Sequence, residues 1–300
     1  MLLYTHPACL AHDPGNGHPE SPARLRAVLE ALDDARFTGL DRREAPKVTR
    51  EQLARVHDRE LIDAIHAASP TAGHAQLDAD TAMSPDSLEA ALRAAGAVCA
   101  AVDALIDGAD TRAFCAVRPP GHHATRDTAM GFCLFNNIAA GAAQALARGI
   151  ERVAIVDFDV HHGNGTQDIF WNEPRVLYAS THQSPLYPGT GARTETGAGN
   201  IVNVPLPPGA GSVEFRSAFS TAIAPALRDF RPQLVMISAG FDAHRLDPLA
   251  SLNFDAADYS WVTHELVDIA REHAAGRVVS SLEGGYSLTA LRESTTAHIA

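Results

Sequence analysis

Residues 153–165 read VAIVDFDVHHGNG, and the fold turns on how this stretch is read. Its first four residues are apolar and largely β-branched. The run is too short for a helix and continuous rather than alternating, which is how a strand buried on both faces reads. The polar cluster that follows, Asp157, Asp159, His161 and His162, sits where that strand ends. Similar runs occur at Leu2–Tyr4, Ala113–Val117, Val176–Ala179, Leu234–Ile237 and Val278–Val279. Helical spacing is found between and around them, at Pro22–Leu32, Thr49–Ala68, Ser84–Gly108, Asn136–Arg148, Val213–Phe230, Ala256–His273 and Leu288–Ala300. Strands alternating with helices predict an α/β architecture with a parallel sheet covered on both faces. No Pro/Ser-rich linker divides the chain, so one domain over residues 1–300 is expected.

In open parallel sheets, ligands bind beyond the carboxyl ends of the strands. Ala113–Val117 runs into RPPGHH, with His122 and His123; Val176–Ala179 runs into Ser180, Thr181 and His182. Leu234–Ile237 is followed by SAGFDAH, with Asp242 and His244, and Val278–Val279 by SSLEGGY, with Glu283 and Tyr286. Together with the stretch after Val156, five strand ends deliver titratable or Gly-rich segments to one rim. Asp159 and His161, two apart at a strand end, are expected to point to the same side. With Asp242 they make a three-donor site for a divalent metal, leaving room for water and substrate, as catalytic sites do. Such an ion would acidify a water and polarise a carbonyl oxygen. One of His122 and His123 could move a proton, and the Tyr286 phenol could donate to a developing oxyanion. These parts specify metal-assisted hydrolysis of a carbonyl compound.

Taken singly, the features are weak. An Asp-x-His pair is common in solvated loops, adjacent histidines occur in exposed turns, and LEGGY suits a strand-to-helix turn. PGTG at 188–191 reads as a turn, because no lysine completes a phosphate loop. Gly121, Gly131 and Gly284 read as positions of positive φ. His57, His66, His74, His264 and His273 read as surface or satisfied residues, and Cys133 as a packed thiol.

Composition narrows the function classes. The 300 residues carry 24 Lys+Arg against 36 Asp+Glu, a formal charge of −12, which argues against nucleic-acid or anionic-membrane binding. A cationic substrate is mildly favoured. The four cysteines, Cys9, Cys99, Cys115 and Cys133, form no C-x-x-C pair, so a cysteine-type zinc finger is excluded and an oxidised scaffold is not expected. MLLYTHPACL has no basic n-region, and no apolar run approaches the ~20 residues that span a bilayer. A cytoplasmic location is expected. Nothing in the sequence specifies an oligomeric state.

The runs RPPGHHA (118–124), GFCLFNN (131–137), DFDVHHGNGTQ (157–167), YPGTG (187–191), SAGFDAHRLDPL (238–249) and LEGGY (283–287) closely resemble the zinc-dependent histone deacetylase family. HDPGNGHPESPARL (12–25) is similar to its class II branch and the bacterial relatives, which include acetylpolyamine amidohydrolases. The resemblance covers nearly the whole chain. It implies the arginase/deacetylase fold, an eight-stranded parallel sheet flanked by helices. It implies one catalytic Zn2+ on Asp159, His161 and Asp242, in a donor set that also admits iron. His123 would be the main general base and acid, His122 its electrostatic partner, and Tyr286 the stabiliser of the tetrahedral intermediate. Asp157 would accept a hydrogen bond from His122, and Asn164, an Asp in class I, would partner His123. A neutral amide stabilises an imidazolium less than a carboxylate does, so His123 should be the less basic.

The resemblance also implies a structural K+ ion. Its ligands would be main-chain oxygens of Asp157, Asp159, His161 and Thr181 and side chains of Asp157 and Ser180. Gly131, Phe132, Tyr187 and Leu249 would line a substrate tunnel. Tyr187 stands where lysine deacetylases commonly have Phe, and Leu249 where polyamine-specific members have a Glu gatekeeper. Gly163 stands where arginases carry an Asp for a second metal, which favours a single ion. The implied substrate is a small-molecule or peptide N-acyl amine, first acetyl-lysine, second an acetylpolyamine, third another amide or ester. A non-catalytic acyl-lysine binder is the reading from a different class.

Overall fold

The computed structural model describes residues 1–300. The strands are β1 (Leu2–Thr5), β2 (Asp41–Glu44), β3 (Ala75–Gln76), β4 (Ala82–Met83), β5 (Arg112–Cys115), β6 (Val153–Asp157), β7 (Val176–Gln183), β8 (Ile201–Leu206), β9 (Leu234–Ala239) and β10 (Val278–Leu282). The helices are α1 (Ala8–Ala11), α2 (Pro22–Ala31), α3 (Arg50–Leu53), α4 (Arg59–Ala68), α5 (Ser87–Ile106), α6 (Asn137–Ala147), α7 (Asn164–Phe170), α8 (Ser212–Ala218), α9 (Ala224–Phe230), α10 (Ala256–His273) and α11 (Leu288–Ile299). Eight strands form one sheet in the order β2-β1-β5-β10-β9-β6-β7-β8, every pair parallel, as expected for α/β alternation. The β3 and β4 segments form a separate antiparallel pair.

Burial follows residue type. Strands β6, β7, β9 and β10 are buried throughout, which their continuous apolar runs demand. One face is covered by α5 and α6, where Gly141 lets Val98 and Met236 close up. On the other face α10 and α11 pack, and His298 reaches Ser280 of β10 at 2.8 Å. The edge strands carried the weakest signal. In β2 the residues are DRRE, mostly exposed, and β8 contains Pro205; both compositions suit an edge, where charge and proline discourage further pairing.

Three helices depart from the expected spans. The 49–68 pattern is split into α3 and α4, because His57 leaves the helix to pair with the Thr125 carbonyl at 2.8 Å and the Asn136 N–H at 2.9 Å. The 213–230 pattern opens into a π turn at Phe219–Ile223, where Pro225 has no N–H for the Thr221 carbonyl. Helix α5 starts at Ser87 rather than Ser84, whose hydroxyl instead accepts from Asp13 N–H at 3.1 Å.

A buried ion cluster, absent from the sequence reading, ties the amino-terminal segment under the sheet's carboxyl rim. Glu20 accepts from Arg24 at 2.9 Å and from Arg118 at 2.7 Å, with His12 at 3.2 Å; all are buried. Burial would raise the Glu20 carboxyl, but the Arg118 charge and the His12 contacts hold it well below its ordinary value. A depressed folded-state pKa gives stability that is present above the unfolded pKa and lost as pH falls through the folded one. Glu20→Ala is therefore expected to lower unfolding stability at pH 7 by about 3–5 kcal/mol, the usual cost of orphaning a buried partner. The deficit should shrink in acid. Urea melts at pH 7 and pH 3 check both, and an equal deficit at the two values would contradict the ion-pair account.

Candidate active site

The four central strands, β5, β10, β9 and β6, are consecutive in the sheet, and their carboxyl ends carry the site. His122 and His123 follow β5, Tyr286 follows β10, Asp242 follows β9, and Asp159 and His161 follow β6. Adjacency in the sheet, not in sequence, brings them together.

Donor atoms of Asp159, His161 and Asp242 all lie within 4.8 Å of one another, and each carboxylate contacts the same imidazole nitrogen. His161 Nδ1 is 3.2 Å from Asp159 Oδ1 and 3.1 Å from Asp242 Oδ2. The convergence does not come from strand alternation, because β6 ends at Asp157 and the chain bends beyond it. It comes from backbone N–H groups that aim the carboxylates: Gly284 onto Asp159 at 2.8 Å and Val160 onto Asp242 at 2.8 Å. Burial and the Asp159 charge push the Asp242 carboxyl up to about 7, as expected of two carboxylates sharing a dry pocket. A cation between them would remove that conflict. Three N/O donors around one point fit a divalent metal with open positions.

Of the three glycines expected at positive φ, only Gly131 has it, at 57°. Gly121 and Gly284 serve close approach instead. A Cβ on Gly284 would press on Asp242 and Asp159 Oδ2, and one on Gly121 on the backbone of Asn137. Gly284→Ala is expected to lower metal occupancy while leaving the far-UV circular dichroism unchanged. Normal occupancy in metal analysis would show that the carboxylates can retreat. At Gly163 a Cβ would overlap Asp157 and Tyr178, so this turn has no room for a second acidic donor.

Behind the donors, His122 Nδ1 lies 3.0 Å from Asp157 Oδ2, and His123 Nδ1 lies 2.8 Å from Asn164 Oδ1. Burial lowers both imidazoles. At His122 the carboxylates of Asp159 and Asp157 overcome it and push the pKa up to about 10. At His123 the neighbouring His122 and His161 add to it and hold the ring far below its ordinary value.

His123, His161, Gly131, Phe132, Tyr187, Leu249 and Tyr286 line one cavity of about 240 Å³, with Asp80 and Leu186 added to the expected wall. Phe132 is left-handed at φ 68°, held by a bond from its N–H to Thr81 Oγ1 at 3.1 Å. Burial keeps the Tyr286 phenol well above its ordinary value, so it stays a donor. Its backbone N–H is taken by buried Asp247 at 2.6 Å, and Arg24 stacks 4.7 Å from its ring. Asp247 lies in SAGFDAHRLDPL and Arg24 in HDPGNGHPESPARL, but their contacts are long-range and no spacing rule reveals them.

Other strand-end residues fall outside the cavity. His162 bonds Thr190 and Gln167, at 2.7 Å and 3.1 Å. Ser180, Thr181 and His182 lie within β7, which runs past its expected end. Asp157 and Ser180 are register partners, both buried. All four cysteines are free and buried, Cys133 among them. No helix is long and apolar enough to cross a membrane.

The histone deacetylase domain model matches residues 18–300. A histone deacetylase-like amidohydrolase of Pseudomonas aeruginosa is 42% identical over 278 residues, covering 90% of this chain and 73% of that protein. Histone deacetylase 14, chloroplastic, of Arabidopsis thaliana is 38% identical over 315 residues, covering 98% and 74%. The crystal structure of the HDA15 HD domain superposes with a TM-score of 0.95 at 39% identity, covering 99% of this chain and 86% of that one. The parallel sheet is thus the arginase/deacetylase fold, and with a match of this extent the chain belongs to the histone deacetylase family.

Proposed function

We propose that residues 1–300 form a single zinc-dependent deacetylase domain that hydrolyses acetyl-lysine or a related N-acyl amine. The observation that carries this is the buried Asp159–His161–Asp242 group opening on the cavity that His123 and Tyr286 line. These three donors would hold one Zn2+, which when bound supplies Lewis acidity to a water and to the amide carbonyl oxygen. His123 is neutral at pH 7, and Asn164 fixes its Nδ1, so Nε2 is the atom free to take a proton from water and pass it to the leaving nitrogen. His122, paired with Asp157, keeps its charge and favours the developing anion. Tyr286 donates its hydroxyl to the oxyanion. Phe132 and Tyr187 would flank an extended alkyl chain, and the Asp80 carboxylate in the same wall suits a cationic flank. The oxygen-rich group around Asp157 and Ser180 suits a structural K+, a hard cation.

An acetylated polyamine is the second reading, favoured by the Asp80 carboxylate and disfavoured by Leu249 in the same wall. A panel of acetyl-lysine peptide, trifluoroacetyl-lysine and acetylated polyamines on zinc-loaded protein separates them. Turnover of the lysine amides above the polyamines is expected. Full zinc occupancy with no hydrolysis of any acyl amine would replace the enzyme by a non-catalytic binder.

A further inference from the structure

Glu283 directly follows β10, which pairs with β5, the strand that leads into the His122–His123 turn. Its side chain is fully buried. Oε2 accepts two backbone N–H groups of that turn, Gly121 at 2.7 Å and His122 at 3.2 Å, and Ser238 Oγ lies 3.5 Å from Oε1. The backbone of the same residue has a different partner. Its carbonyl accepts from Arg24 Nη2 at 2.5 Å, and the carbonyl of Gly285 accepts from Arg24 Nε at 2.5 Å. Arg24 in turn lies against the Tyr286 ring. Glu283 therefore touches the histidine turn through its side chain and is tied through Arg24 to the turn that carries Tyr286.

The two N–H groups belong to a turn outside the sheet ladder, where an unmet buried donor is costly. A carboxylate oxygen meets both at once. We propose that Glu283 is a positioning residue whose side-chain oxygen locks the His122–His123 turn against the Tyr286 turn and so sets the spacing of the base and the oxyanion donor. The proposal rests on the deacetylase reading of the site. What it requires is an acceptor at this reach, not a charge, and this separates the conservative variants.

The test compares Glu283→Gln, Glu283→Asp and Glu283→Ala in the zinc-loaded full chain. Glutamine keeps an acceptor oxygen at the same reach, so its kcat should stay within about 3-fold of the parent. Aspartate keeps the charge but falls short, and with alanine it should lose about 10- to 100-fold in kcat with KM little changed, as a small misplacement of catalytic groups does. Hydrogen exchange over residues 118–124 reads the lock without activity. Protection should persist in Glu283→Gln and fall in the other two, with zinc content unchanged. Glutamine as slow as aspartate, or unchanged exchange in Glu283→Asp, would overturn the proposal. A parent protein that hydrolyses no acyl amine would remove the deacetylase reading alone, and the exchange data would still decide the lock. Should alanine fail to fold, the aspartate and glutamine pair still decides it.

Discussion

Asp242→Ala is expected to bring zinc content close to zero and to abolish turnover. Asp242 is one of only two carboxylates in the donor group, and its Oδ2 lies 3.1 Å from His161 Nδ1. Two remaining donors cannot hold an ion against exchange with water as three do. The loss also frees the Val160 N–H, which Asp242 Oδ1 accepts at 2.8 Å, so the loop carrying His161 loosens. Thermal scans with and without zinc give a second readout. An ion that binds only the folded protein raises its melting temperature. The parent should show that rise and the variant should not. Normal metal content in Asp242→Ala would mean that the ligand set is wrong.

Tyr286→Phe is expected to cut kcat by roughly 10²- to 10³-fold, the effect of removing one oxyanion donor. Metal content and melting temperature should hold, because the ring still packs near Phe132 and Arg24 and the backbone still bonds Asp247. In the proposed role the phenol would act only through its proton, which burial favours keeping. Pre-steady-state measurement on an acetyl-lysine peptide separates chemistry from product release. An unchanged kcat would show that another donor fills the role.

The contrast between what was legible and what was not follows contact range. Buried central strands announced themselves as apolar runs, and their polar ends marked the rim that carries Asp159, His161, Asp242, His122, His123 and Tyr286. In parallel sheets those two signals are coupled, since every strand ends at the same edge. The edge strand Asp41–Glu44 lacked the signal because its residues are charged and mostly exposed, and Ile201–Leu206 because Asn203 and Pro205 interrupt its apolar run. The break at His57 was hidden because it depends on Thr125 and Asn136, far along the chain. Asp247, Glu283 and Arg24 act through bonds to backbone N–H and C=O groups of other segments, which leave no periodic trace. Even the donor convergence had a different cause from the one spacing suggested. Gly284 and Val160 N–H groups aim the carboxylates, where alternation along β6 was expected to.

The most direct test of the account is zinc titration of chelator-stripped protein, followed by calorimetry and by turnover of an acetyl-lysine peptide on the same sample. One ion per chain is predicted, with activity rising in step and reaching its plateau at that equivalence point. Saturation at two ions, or hydrolysis that is complete before zinc is added to fully stripped protein, would contradict it.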